Sequence, residues 1–151
     1  MQIAIEGPGA GDVTALLAYH VAEARRLSPP GFSFALPGDA LQGDDITFWT
    51  ARKAGMLLGF GALKDLGDGT GEVKSMRTAP EHLRKGVGAS ILDVIIDAAR
   101  MRGHSTLYLE TGVSEDYMAA RALYERRGFA PCDPFANYEA SGFNWFMKLS
   151  L

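Results

Sequence analysis

One stretch constrains this chain more than any other. Glu72 to Thr78 reads as a strand, and Arg84-Lys85-Gly86-Val87-Gly88-Ala89 then opens onto a helix from Val87 to Met101. Along that helix Val87, Ile91, Leu92, Ile95, Ile96 and Ala99 recur at helical spacing and form one apolar face. Gly103 ends it, and Thr106-Leu107-Tyr108-Leu109 reads as a buried strand. Strand, helix and strand in that order predict a local parallel crossover. The glycine turn sits where the helix begins. There the first backbone N–H groups have no intrahelical partner and carry partial positive charge, a ready seat for phosphates. Glycines allow close backbone approach, and Arg84 and Lys85 add attraction for a pyrophosphate. Alone, Gly86-x-Gly88 is equally compatible with a helix entry that binds nothing. The dinucleotide fingerprint fails because Ile91 stands where a third small residue is needed, and no Walker order occurs.

The rest of the chain supplies a sheet. Met1 to Glu6 reads as a strand ended by Gly7-Pro8-Gly9; Asp12 suits the N-cap of a helix running to about Leu27, stopped by Ser28-Pro29-Pro30-Gly31. Phe32 to Asp45 reads as a loop with at most a short helix around Ala40, and a loop this long inside a compact domain is often functional. Strands Ile46–Arg52, Met56–Leu63 and Glu72–Thr78 form an antiparallel meander. Tyr117 to Arg127 is a helix closed by Gly128, and Phe129 and Asn144–Leu149 supply the last strands. The expected class is mixed α/β: one domain over residues 1–151, with a central sheet and helices on both faces.

Composition narrows the function classes. A net charge of −3 argues against a dedicated nucleic-acid binder. No run approaches the roughly 18–20 apolar residues of a membrane span, and the first residues lack a signal-peptide pattern. The single cysteine, Cys132, fits a reducing compartment, so a cytoplasmic protein is expected. Residues 1–70 hold eight acids and five bases, and the remainder ten of each, so cations for an anionic ligand come mostly from the second half. His20, His82 and His104 show no metal-ligand spacing, which gives an expectation of no metal.

The run from Glu72 to Ala89, followed by Ala120-Arg121-Ala122-Leu123-Tyr124-Glu125-Arg126-Arg127-Gly128-Phe129, resembles the GNAT superfamily of acetyl-CoA-dependent N-acetyltransferases. Their pattern is R/Q-x-x-G-x-G/A at a helix start and later A-x-x-L-Y-x-x-x-G-F. The second is matched in full at Ala120, Leu123, Tyr124, Gly128 and Phe129. The R/Q position holds Leu83, which moves the expected phosphate grip onto backbone amides, Arg84 and Lys85. The resemblance implies a GNAT-like single domain with a mostly antiparallel sheet of six or seven strands. It also implies acetyl-CoA as co-substrate, held by the turn Arg84, Lys85, Gly86, Val87, Gly88 and Ala89, by the backbone of Met76, Arg77 and Thr78, and by Tyr124.

The implied reaction is transfer of acetyl from acetyl-CoA to a primary amine of a small molecule or peptide, by direct attack in a ternary complex. Tyr124 matches the position that serves as general acid toward the departing thiolate. Glu72, fourteen residues before Gly86, matches a general-base position, with Glu110 at a strand end as competitor and a water chain as a third route. The acceptor pocket is expected from Phe32–Asp45, Ile46–Trp49 and Phe135–Trp145, with Phe32, Phe34, Trp49, Phe135, Tyr138 and Trp145 shaping it. The alternative is a non-catalytic acyl-CoA-binding regulatory domain. Homodimers are common in similar enzymes, although no seam is legible in the residues.

Overall fold

The computed structural model describes all residues, Met1–Leu151. Seven strands form one sheet in the order β1-β2-β3-β4-β5-β7-β6: β1 Gln2–Ile5, β2 Ile46–Lys53, β3 Met56–Asp65, β4 Thr70–Thr78, β5 Thr106–Gly112, β6 Ala130–Pro131 and β7 Asn144–Ser150. Every neighbouring pair is antiparallel except β4 and β5. The three helices are α1 Gly11–Arg26, α2 Val87–Met101 and α3 Met118–Arg126. None is long and apolar enough to cross a membrane.

Two apolar clusters sit on opposite faces of the sheet. Val13, Leu16 and Leu17 of α1 pack on Phe48, Leu57, Phe60 and Ala62. On the other face α2 and α3 bury Ile91, Leu92, Ile95 and Tyr124 against Leu63, Val73, Leu107, Leu109 and Met147. All six apolar positions of α2 read from the sequence are buried. Gly61 admits α2 closely, because a Cβ there would lie 2.7 Å from Ile91 Cγ2 and 2.6 Å from Met76 Sδ.

Asp12 is not the N-cap. The cap position is Ala10, without a side-chain bond, and α1 begins at Gly11. Arg52 takes the Asp12 carboxylate instead, at 2.6 Å and 3.0 Å, while also binding Glu6 at 2.9 Å. Those guanidinium hydrogen bonds hold both carboxyls below their ordinary range. They also tie β1 and α1 to β2.

The decisive irregularity is a bulge in β4. Register with β3 shifts between Phe60 and Ala62, and Ser75 adopts φ 55°. Before it, Glu72 and Lys74 stand opposite Lys64 and Ala62 and share the α1 face. After it the alternation inverts: Met76 reaches Gly61 and the α2 side, whereas Arg77 turns to α1. Beyond Glu72 and Tyr108 the parallel pairing also stops. β4 continues to Thr78 along β3 and β5 to Gly112 along β7, so the two strands part and leave a split in the sheet.

Candidate active site

The turn before α2 is shaped to leave backbone donors free. Arg84 and Gly86 take φ 61° and 78°, Gly86 is the N-cap, and no side chain caps the helix. The first bond back to the cap runs from the Ser90 N–H to the Gly86 carbonyl at 3.1 Å, so the Val87, Gly88 and Ala89 amides precede the helical ladder. A Cβ on Gly88 would meet Leu123 Cδ2 at 3.5 Å and Thr78 Oγ1 at 3.7 Å. That places the helix start against the end of β4 and against α3. Arg84 and Lys85 are exposed, and Lys85 Nζ lies 3.3 Å from His82 Nδ1. Leu83, 58% exposed, presents only hydrocarbon.

Two carboxylates flank the split on the α1 face. Glu72 is buried, not solvent-facing as a polar strand residue near a turn would ordinarily be. Its Oε2 accepts from the Tyr138 hydroxyl at 2.7 Å and from Lys74 Nζ at 3.2 Å. Lys74 also donates to the Tyr138 oxygen at 2.9 Å. Glu110 has no cation bonded to it. Its Oε2 accepts from Asn144 Nδ2 at 2.7 Å, and Asn144 Oδ1 in turn accepts from Ser141 Oγ at 2.5 Å. Burial pushes the Glu110 carboxyl up, with Glu72's charge adding to that, while the Asn144 bond and Lys74 oppose it.

Tyr124 approaches from the α3 side. Its ring packs edge-on against Phe129 at 5.9 Å, and burial, with Glu110's charge second, pushes its hydroxyl up to about 12. It is therefore a hydrogen-bond donor at neutral pH. Gly112 lets Tyr117, just before α3, lie flat on the end of β5: a Cβ there would overlap the Tyr117 ring.

Arg77 has two roles divided between backbone and side chain. Its backbone lies on the parting segment of β4, but its Nε donates to His20 Nδ1 at 2.9 Å and its guanidinium covers Tyr19. The acceptor role of Nδ1 places the His20 proton on Nε2. Burial, then the Arg77 charge, depresses the His20 pKa to about 3. The unfolded chain binds this proton near pH 6.5 and the folded one does not. Stability is therefore unaffected above that value and falls as pH drops from 6.5 toward 3. At pH 5 the contribution is about 2 kcal/mol. His20→Gln, which keeps an acceptor for Arg77, is expected to lose less stability between pH 7 and pH 5 than the wild type in urea titrations. Equal losses would show that His20 is not the titrating group.

Of the residues expected from the sequence, Met76, Arg77, Thr78, Gly86, Val87, Gly88, Ala89 and Tyr124 fall around the split and the helix start, with Arg84 and Lys85 at their edge. Glu72 and Glu110 share its α1 side. Trp49 and Trp145 do not line it. Trp49 is buried among the α2 contacts, and Trp145, opposite Thr111 in β7, stacks under Arg121 at 4.2 Å. Phe135 is mostly packing, stacked on Tyr108 at 4.7 Å. Ser141 and Asn144 lie within the Phe135–Trp145 segment expected at the acceptor pocket but were not singled out, and Lys74 was not among the expected site residues. The i+2 spacing of Lys74 puts it on the Glu72 face, whereas nothing local distinguishes Asn144 or Ser141 from their neighbours.

Comparison with known proteins agrees with the fold. The profile of the acetyltransferase (GNAT) family matches residues 11–129. The uncharacterized N-acetyltransferase YsnE of Bacillus subtilis (strain 168) is 42% identical over 151 residues, covering 100% of both chains. A crystal structure described as an acyl-CoA N-acyltransferase from Klebsiella pneumoniae superposes with a TM-score of 0.80 at 29% identity, covering 99% of this chain and 97% of that one. A Bacillus subtilis acetyltransferase crystallised with CoA shares the fold, with a TM-score of 0.69 at 19% identity and coverage of 99% and 98%.

Proposed function

The chain belongs to the GNAT acetyltransferase family and is an acyltransferase, and on that premise we propose that it moves an acetyl group from acetyl-CoA to a primary amine of a small molecule or peptide, by direct attack within a ternary complex. The observation that carries the reading is the β4–β5 split, with Glu72 and Glu110 on one side, Tyr124 on the other, and the uncapped start of α2 beside it. The amides of Val87, Gly88 and Ala89, with Arg84 and Lys85, would take the pyrophosphate. The freed backbone of Met76, Arg77 and Thr78 would take the pantetheine amides and the thioester oxygen.

The chemistry follows from these groups. Glu72 removes a proton from the acceptor's ammonium, directly or through one water, and the freed nitrogen attacks the thioester carbonyl. The carbonyl oxygen becomes negative and is met by main-chain N–H groups of β4. Collapse breaks the C–S bond, the nitrogen gives up its second proton to solvent, and the amide and the thiolate are released. A tyrosinate near 12 is more basic than a thiolate, whose ordinary value is about 8.5. Tyr124 therefore acts chiefly by donating a hydrogen bond to the departing sulfur, which solvent finally protonates. Glu110 is the second carboxylate available to an incoming ammonium.

Coenzyme A is expected to raise the melting temperature in proportion to the logarithm of its concentration. A hundredfold excess over Kd adds about 2.7 kcal/mol, or roughly 5–11 °C for a domain of this size. Thiol release with a panel of amines, amino acids and peptides then identifies the acceptor. Reversing the charge of Arg84 and Lys85 together should weaken CoA binding, more at low salt than at high. No shift at millimolar CoA would sink the reading.

A further inference from the structure

The acceptor side of the split is roofed by two loops that meet through aromatic pairs. Phe32 and Phe34 come from the segment between α1 and β2, and Tyr138 and Phe143 from the segment between β6 and β7. The Phe32 and Phe143 rings lie 5.0 Å apart, and Phe34 packs edge-on against Tyr138 at 5.1 Å. Of these four rings Tyr138 alone bears a polar group. Its hydroxyl closes a triangle with Glu72 and Lys74, whose sides are 2.7, 2.9 and 3.2 Å. Both bonds to the carboxylate fall on Oε2, and Oε1 takes no part in the triangle.

We propose that Tyr138 is the positioning residue of the acceptor site: its hydroxyl fixes the Glu72 carboxylate so that Oε1 faces the amine, and it makes an ordered base and a closed aromatic roof one event. This rests on Glu72 as the base. A buried carboxylate bonded only by a flexible lysine could turn about its last torsions. A tyrosine seated in a ring cluster offers one hydroxyl direction. Tyr138 packs at 5.0 Å from Phe135 and 5.6 Å from Phe146, which fixes that seat from below as Phe34 does from above. Burial, with Glu72's charge next, pushes the hydroxyl above the ordinary tyrosine range, so it remains a donor throughout the working pH range.

The polar surroundings of Glu72 are Lys74 on its own strand, Lys64 opposite on β3, Tyr108 opposite on β5 with Glu110 two residues further, and Tyr138 from the loop. Removing Tyr138's bond takes away a donor to the charged form alone. The loss should therefore appear in kcat and leave KM for acetyl-CoA in place.

The test is Tyr138→Phe, which keeps the ring and its seat. Its kcat with the acceptor identified by thiol release is expected to fall on the order of tenfold, with KM for acetyl-CoA unchanged. Tyr138→Leu, which also loses the seat, should be worse. A Tyr138→Phe enzyme with wild-type kcat would overturn the proposal, because packing alone would then explain the residue. Lys74→Gln provides a second arm should Tyr138 variants fold poorly. It leaves Tyr138 as sole donor to Glu72 and should lower kcat less than loss of the hydroxyl; a larger loss would assign the positioning to Lys74. Glu72→Gln separates the two layers. Full activity there removes the base reading and this inference with it, whereas an inactive Glu72→Gln beside an unaltered Tyr138→Phe removes only the inference.

Discussion

Glu72→Gln is expected to lower kcat by about 10²–10⁴-fold, the usual contribution of a positioned base. The substitution keeps the shape of the side chain and an oxygen that can still accept from Tyr138. What it removes is the ability to take up a proton, so the loss should appear in kcat and leave the CoA-induced rise in melting temperature in place. Glu110→Gln makes the informative companion. Its carboxylate is raised by burial and bonded by a neutral amide, so an approaching ammonium would find there a charge that no cation yet neutralises. Loss of that charge should weaken acceptor binding, raising KM for the amine more than it lowers kcat. If Glu110→Gln were the inactive variant and Glu72→Gln the mild one, the two roles would have to be exchanged. Steady-state kinetics across pH on both variants decides it.

The largest effect on stability is expected at Phe60. The ring is 0% exposed and lies between α1 and the sheet, 5.2 Å from Phe48 and edge-on to His20 at 6.0 Å. Phe60→Ala removes the apolar contact and leaves a cavity that α1 can only partly collapse into, at a cost of about 3–5 kcal/mol. For a domain of this length that lowers the melting temperature by roughly 6–20 °C. Because His20 loses the ring beside it, water should gain access, and the loss of stability between pH 7 and pH 5 should shrink as well. Calorimetry at the two pH values measures both. A cost below about 1 kcal/mol would mean that α1 is held mainly by the Arg52 network with Glu6 and Asp12 rather than by its apolar face.

The parts of this molecule that were legible in the residues are those whose cause is local. Helix α2 was read at its observed bounds, Val87–Met101, because six apolar positions at one spacing and a glycine at each end leave little choice. The meander and the parallel crossover followed from similarly short patterns. Asp12 misled because a cap preference is a local term, and Arg52, forty residues away, binds its carboxylate more strongly. β5 runs to Gly112, not Leu109, because β7 pairs with it over the whole length, a partnership with no trace in the strand's own residues. The same distance hides the site's polar partners: Tyr138 lies sixty-six residues from Glu72, and Asn144 thirty-four from Glu110. The bulge was hidden for another reason. Ser75 carries no glycine or proline to mark it, and an uninterrupted alternation would have put Met76 on the face of Glu72.

The parting of β4 from β5 also bears on how the molecule moves. The sheet is mechanically two leaves, four strands and three, joined along three residue pairs, Thr70–Thr106, Gly71–Leu107 and Glu72–Tyr108. Relative motion of the leaves is restrained there and by the helices laid across them, but not by main-chain bonds farther along. A ligand whose amides lie between the open edges would add such bonds on both sides and stiffen the leaves into a single plate. Part of its binding free energy would then be spent as lost vibrational and conformational entropy of the sheet. A second substrate arriving at the stiffened plate would meet that cost already met, so order of binding would follow from elasticity even where the two ligands never touch.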